Sequence, residues 1–192
     1  MLFETKNFEN LIETKGFSEQ LLKNHFTLYQ GYVTNTNKLL AILDTKEVGT
    51  PEYSEIQRRF GWEWNGMRLH ELYFGNLTKE SKGFPDGKLQ AKIEKIYGGF
   101  EQWKKNFAGL GMMRGIGWVI LLYDEQSGEL FNVWINEHDV GHLAGCVPLL
   151  AMDVFEHAFM IDYGLKRADY IEAFFKAIDW PVVSRRFDNS IK

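Results

Sequence analysis

Residues 148–161 read PLLAMDVFEHAFMI and set Asp153, Glu156 and His157 inside an otherwise apolar run. A carboxylate or imidazole buried without a partner costs several kcal/mol, so in dry surroundings such groups pair with one another or hold a metal ion. Asp153 and His157 are four residues apart, and if a strand gives way to a helix just after Asp153 their side chains converge on one point. Imidazole mixed with carboxylate suits iron, manganese or zinc, whereas calcium and magnesium take all-oxygen shells. The same spacing also serves a hydrogen-bonded structural pair, so a metal site requires further ligands. The single cysteine, Cys146, rules out an intrachain disulfide and a multi-thiolate site. The search therefore narrows to carboxylates and the 5 histidines, His25, His70, His138, His142 and His157.

His25 and His70 fall in two long helical patterns. Residues 18–44, SEQLLKNHFTLYQGYVTNTNKLLAILD, open on a serine suited to cap a helix and repeat apolar residues at helical spacing. Residues 51–77, PEYSEIQRRFGWEWNGMRLHELYFGNL, start with proline at a first-turn position. The short link DTKEVGT makes the two an antiparallel hairpin, which brings both histidines to one level. Either alone reads more readily as a satisfied core histidine; two facing an element that carries Asp153 and His157 is a much rarer accident.

The charged, turn-rich stretch TKESKGFPDGK, residues 78–88, marks the boundary between an N-terminal helical hairpin domain, 1–82, and a C-terminal domain, 83–192. Shorter helices are predicted over 89–97 and 99–112. GWVILLYDEQSGELFNVWIN reads as two strands about a turn at Gln126 to Gly128, and PLLAMDV supplies a third. ADYIEAFFKAI, residues 168–178, then closes the chain as an amphipathic helix. The predicted class is α+β: an antiparallel helical hairpin followed by a small three-stranded antiparallel sheet flanked by helices.

With 192 residues, 45% of them hydrophobic and 15% aromatic, the chain can fill a substantial core. A formal charge of −4 supplies no chain-wide basic surface for nucleic acid. The expectation is a soluble cytoplasmic protein, with no membrane span and no secretion signal in MLFETKNFEN.

The segment DVFEHAF…DYGLKRADYIEAFFKAIDWPVVSRRF resembles the C-terminal part of the iron/manganese superoxide dismutases, whose signature is Asp-x-Trp-Glu-His-Ala-Tyr. The similarity takes in Tyr163, Arg167, Tyr170 and Trp180. GIGWVILLYD resembles the family's first strand and PLLAMDV its approach to the metal, while SEQLLKNHFTLYQGYVTNTN and NGMRLHELYF resemble its first two helices. The likeness extends over about residues 15–187.

Position by position, the resemblance implies that His25, His70, Asp153 and His157 are the protein ligands of one iron or manganese ion per subunit, with a fifth position left for water or hydroxide. It implies that Glu156 reaches across a homodimer interface, alone or within a dimer of dimers, to the metal-binding histidine of the other subunit. It also places Phe155 and Tyr163 around the site. Phe155 stands where the family has tryptophan, which keeps an aromatic wall but loses an N–H donor. In the first helix the family's tyrosine lies eight residues after the first histidine. Here tyrosines follow His25 at four and seven, and a helix without a π-bulge returns the later one to the same face. Tyr32 is thus expected as the active-site tyrosine, with Tyr29 as its competitor. His138, just after the second strand, sits where the family places the Gln or His that bonds the metal-bound solvent, and His142 is its rival. Cys146 reads as a small buried residue.

The implied activity is superoxide dismutation: one superoxide gives up an electron and leaves as oxygen, and a second takes it and leaves, with two protons, as hydrogen peroxide. The substrate is an anion and the chain is net negative, so any steering falls to local lysines and arginines. A di-iron carboxylate bundle would need two Glu-x-x-His pairs. Leu22, Met67, Ile135, Asp139 and Val154 stand three before the histidines, so none occurs. A non-catalytic interaction module that keeps this fold is the remaining alternative, and loss of a ligand would favour it.

Overall fold

The computed structural model describes residues 3–191. Helix α1, Glu19–Leu43, starts where Ser18 Oγ accepts the Leu21 N–H at 3.1 Å. Its buried side chains, among them Leu21, Leu22, His25, Tyr29, Tyr32 and Thr36, recur every three or four residues along an uninterrupted α-helix. Helix α2, Pro51–Phe74, is capped by Thr50 and carries Pro51 at its first position. It stops three residues short of the expected end. Asn76 then turns its side chain inward: its Nδ2 donates to Tyr73 O at 2.9 Å, and its Oδ1 accepts from Ala151 N at 3.0 Å. Asn76 is fully buried, and an unmet amide there would cost about 1–3 kcal/mol. These bonds therefore fix the end of α2, and with it His70, against the strand that ends in Asp153.

After the link come α3, Lys88–Tyr97, and α4, Phe100–Gly111. Strands β1, Gly117–Asp124, β2, Glu129–Asn136, and β3, Cys146–Asp153, form one antiparallel sheet in the order β2-β1-β3. The register sets Trp118 of the central strand opposite Asp153 on one side and Ile135 on the other. β3 begins two residues before PLLAMDV, and its pairing skips Leu149 beside Pro148, which has no N–H to give the ladder.

Beyond Asp153 the chain does not turn straight into a helix. Val154 and Phe155 come first, then a 3-10 turn over Glu156–Ala158 and a single helical turn, α5, Met160–Tyr163. Helix α6, Arg167–Ala177, fills the expected amphipathic segment but does not close the chain. A further helix follows, α7, Trp180–Ser190, capped by Asp179 and burying Trp180, Val183 and Phe187. Its signal was an acidic cap two residues before Pro181, in a segment whose polar residues mask a narrow apolar stripe. One apolar core runs from the hairpin (Leu22, Tyr73, Phe74) through the sheet (Trp118, Leu121, Leu150) to the outer helices (Trp103, Phe107, Phe174).

Candidate metal centre

Three imidazoles from three parts of the chain converge on one carboxylate oxygen of Asp153. Asp153 Oδ2 lies 3.2 Å from His25 Nε2, 3.1 Å from His157 Nε2 and 3.7 Å from His70 Nε2. Asp153 and His70 are fully buried, His25 nearly so, and His157 is partly open. The strand holds Asp153 from behind: Phe155 N donates to its Oδ1 at 2.8 Å, and Tyr170 donates its hydroxyl proton to the Asp153 carbonyl at 2.6 Å. Tyr73 reaches the Tyr170 hydroxyl at 3.2 Å, completing a buried chain from α2 through α6 to β3. Arg167 ties the turn after β3 to the α4–β1 link through the carbonyls of Met113, Gly115 and Val154.

Protonation follows from these contacts. Burial alone would raise the Asp153 carboxyl, but the imidazoles of His157 and His25 outweigh it and hold the group well below the usual carboxylate range. Ionised, Asp153 only accepts, so His25 and His157 present Nε2–H to it. His70 differs. Its Nδ1 donates to Gly66 O at 2.6 Å, which leaves the Nε2 lone pair facing the cluster with no hydrogen-bond partner. Burial depresses both His25 and His70 below ordinary histidine values, so both stay neutral and able to ligate at neutral pH.

The donor set fits an ion of iron or manganese type. Ligand atoms about 2.0–2.2 Å from a common ion lie up to roughly 4.4 Å apart. The four donor atoms here all lie within 4.8 Å of one another, so a contraction of a few tenths of an ångström closes the shell. The orphaned Nε2 of His70 and Nδ1 of His25 fit the same reading: the first is open to bind, and the second is free to take up the proton that Nε2 of the same ring must release.

Around this cluster lies an aromatic ring of second contacts. Tyr32 stacks on His70 with ring centroids 5.1 Å apart, and its hydroxyl meets His138 Nε2 at 2.8 Å. That approach depends on Gly66, where a Cβ would stand 2.5 Å from the Tyr32 ring. Trp118 donates its indole N–H to His138 Nδ1 at 3.0 Å. Phe155 stacks on both His138 and His157, so the aromatic wall is kept. His142 lies behind the same loop, its Nε2 donating to the His138 carbonyl at 2.8 Å. Burial pushes the Tyr32 hydroxyl up, aided by the Asp153 and Glu63 charges, and pushes His138 down to about 4.

Tyr29 points elsewhere. Its hydroxyl bonds Glu71 Oε1 and the Lys6 N–H, both at 3.1 Å, and burial raises it to about 12. Tyr163 gives its hydroxyl proton to Gly16 O at 2.6 Å and joins the N-terminal arm to α5. Glu156 is exposed, and among the described residues no hydrogen bond or ion pair reaches its carboxylate. Sequence reasoning missed Trp118, Trp62, Gly66 and Tyr73 as parts of the site. Gly66 and Tyr73 sit one turn from His70, Trp62 two turns, and Trp118 pairs with Asp153 in the sheet, but aromatic and glycine residues carry no chemical signature of their own.

The family model described as iron/manganese superoxide dismutases, C-terminal domain, matches residues 85–186. An iron superoxide dismutase of Aquifex pyrophilus is 36% identical over 187 residues, covering 93% of this chain and 87% of that protein. The manganese superoxide dismutase 2 of Haloferax volcanii is 36% identical over 178 residues, covering 91% of this chain and 89% of that protein. An iron enzyme of Cupriavidus metallidurans is also 36% identical, over 92% of this chain and 91% of its own length. A hairpin and small sheet that bring three imidazoles and one aspartate to a point agree with these likenesses over nearly the whole chain, and the chain belongs to the iron/manganese superoxide dismutase family.

Proposed function

We propose that the chain is a superoxide dismutase that works with one iron or manganese ion held by His25, His70, Asp153 and His157. The observation that carries this reading is the convergence of three Nε2 atoms on Asp153 Oδ2, with His70 already in its ligating tautomer. Loss of a ligand would favour a non-catalytic module; all four donors are in place. Bound there, the ion would supply the one-electron couple that superoxide dismutation needs.

The protein's share is orientation and proton supply. Trp118 can only donate, so His138 Nδ1 accepts and its Nε2 carries the proton. That N–H points at Tyr32 Oη and leaves the tyrosine's own proton free to be given. Because burial raises Tyr32, its hydroxyl stays protonated at neutral pH and acts as a donor toward the peroxide product. Asp153 would balance the charge of a bound ion inside the core, and the buried aromatic shell would limit the access of bulk water to it.

The same reading includes a homodimer. Glu156 lines a cavity of about 420 Å³ together with Met112, Met113, Met160, Leu165 and Arg167. Met112 is 50% exposed, Met160 42% and Leu165 91%, and an apolar patch around an unpaired carboxylate suits a partner surface. A second copy whose His157 donated its Nδ1–H to Glu156 would use both features at once. The experiment that tests the function is metal analysis of the purified chain, with superoxide consumption measured after separate iron and manganese loading. Turnover in at least one loaded form is expected; its absence in both would overturn the reading.

A further inference from the structure

Resting on that function, we infer that Arg59 is the residue that draws the anionic substrate toward Tyr32, and that Glu63 and Glu137 set how strongly it does so. A cleft of about 220 Å³ opens beside α1 and α2, with Tyr32, Asn35, Arg59, Trp62 and Glu63 in its wall. Tyr32 stacks on His70, so one aromatic ring separates this cleft from the ligand cluster. Arg59 is the one cation among the described residues that line it.

The way Arg59 is held matters more than its presence. Its Nη2 lies 2.9 Å from Glu63 Oε1 and its Nε donates to the same oxygen at 3.0 Å. The Glu63 side chain is 4% exposed and that of Arg59 52%, so the carboxylate lies beneath and the guanidinium faces solvent. The pair is neutral in sum but presents its positive end to an incoming ion. Arg59 also lies 3.9 Å over the Trp62 ring, and Trp62 donates its N–H to Glu137 Oε2 at 2.9 Å. This pins the guanidinium in place and brings a second carboxylate to the rim. Without Arg59 the mouth would show an anion two carboxylates and no cation. The chain as a whole carries −4, so no general attraction would make up the loss.

The test compares metal-loaded wild type with Arg59→Gln, Arg59→Lys, Glu137→Gln and, as a charge control on α4, Lys105→Gln, all matched for metal content and circular dichroism. Two quantities are measured at low (about 10 mM) and high (about 200 mM) ionic strength: the second-order rate constant for superoxide, and the dissociation constant of azide from the visible spectrum. Arg59→Gln should lower the rate constant and weaken azide by about threefold to tenfold at low ionic strength, converging on wild type at high. Arg59→Lys should stay within about twofold of wild type, and Glu137→Gln should raise the rate constant and lower the azide dissociation constant, at low ionic strength only. Glu137→Gln leaves no buried charge unpaired, so it tests the charge balance even if Arg59→Gln fails to fold. An azide affinity that falls no more in Arg59→Gln than in Lys105→Gln, or that does not respond to Glu137→Gln, overturns the inference. Absent superoxide turnover with an intact Arg59 dependence of azide binding would instead strike the dismutase reading and leave the anion path standing.

Discussion

The indole N–H of Trp118 points at Nδ1 of His138 across 3.0 Å, and this contact decides where the imidazole keeps its proton. Trp118→Phe keeps the ring but removes the donor, so His138 is free to adopt either tautomer and the directed N–H to Tyr32 is lost part of the time. The metal should remain, while the midpoint potential should move by about 20–60 mV, the equivalent of roughly 0.5–1.5 kcal/mol for a one-electron couple. Redox titration of the loaded variant checks this; an unchanged potential with unchanged turnover contradicts it.

Tyr32 and Tyr29 should separate cleanly. Tyr32→Phe removes the hydroxyl that meets His138 and should lower turnover roughly tenfold or more and alter its pH profile, with metal content unchanged. Tyr29→Phe removes a bond to Glu71 instead, and should cost about 1 kcal/mol of stability with near-normal turnover. Steady-state kinetics beside thermal melts of the two proteins decide the matter. If Tyr29→Phe carries the kinetic change, the roles are exchanged.

Metal retention should depend on His70, whose Nε2 faces the cluster with its lone pair open. His70→Ala is expected to reduce bound metal from about one ion per chain to roughly a tenth or less, since one of four donors is replaced by water. Elemental analysis after dialysis measures it, and full occupancy would remove His70 from the ligand set.

Association should weaken when Glu156 is truncated. In the proposed two-fold dimer Glu156→Ala removes a carboxylate–imidazole contact from each half, so the dimer dissociation constant should rise by about a hundredfold for roughly 1.5 kcal/mol per contact, and metal retention should suffer with it. Sedimentation equilibrium reads the first effect. A wild type that is monomeric and fully active would refute the interface.

Acid should destabilise the metal-free protein in a defined window. His138 titrates near 4 when folded, against an ordinary value of about 6.5 when unfolded, because burial opposes its charge. As pH falls below about 6.5 the unfolded chain takes up the proton first, so stability drops by up to about 1.4 kcal/mol per pH unit for this group until roughly pH 4, and is independent of it above 6.5. His25 and His70 act in the same direction. Urea unfolding across this range should slope accordingly, and His138→Gln should flatten the slope by one proton's worth.

Much of this centre was legible in the chain because its signals are local. Ser18 and Thr50 cap their helices through bonds three residues long, and the apolar spacing that buries His25, Tyr29 and Tyr32 on one face of α1 needs no partner to be read. A single cysteine and 5 histidines reduced the possible donors to a handful before any folding was considered. The strands were likewise legible, since β-branched and aromatic enrichment about a turn is a local signal. Helix α7 escaped because its apolar stripe, Trp180, Val183 and Phe187, is narrow among polar residues.

What tertiary structure decided was which of several plausible side chains faces which. Tyr32 and Tyr29 share a helix face, yet one meets His138 and the other Glu71, and the His138 contact joins residues 106 apart in sequence. His138 and His142 lie one turn apart on the same loop, but only the first receives the Trp118 proton, because the β1 register places that indole there. The bond from His25 to Asp153 spans 128 residues. Such pairings rest on chain-wide packing, which no run of neighbours encodes, so the donor types could be read from sequence while their protons, and the outward-facing guanidinium of Arg59, were settled only in the folded protein.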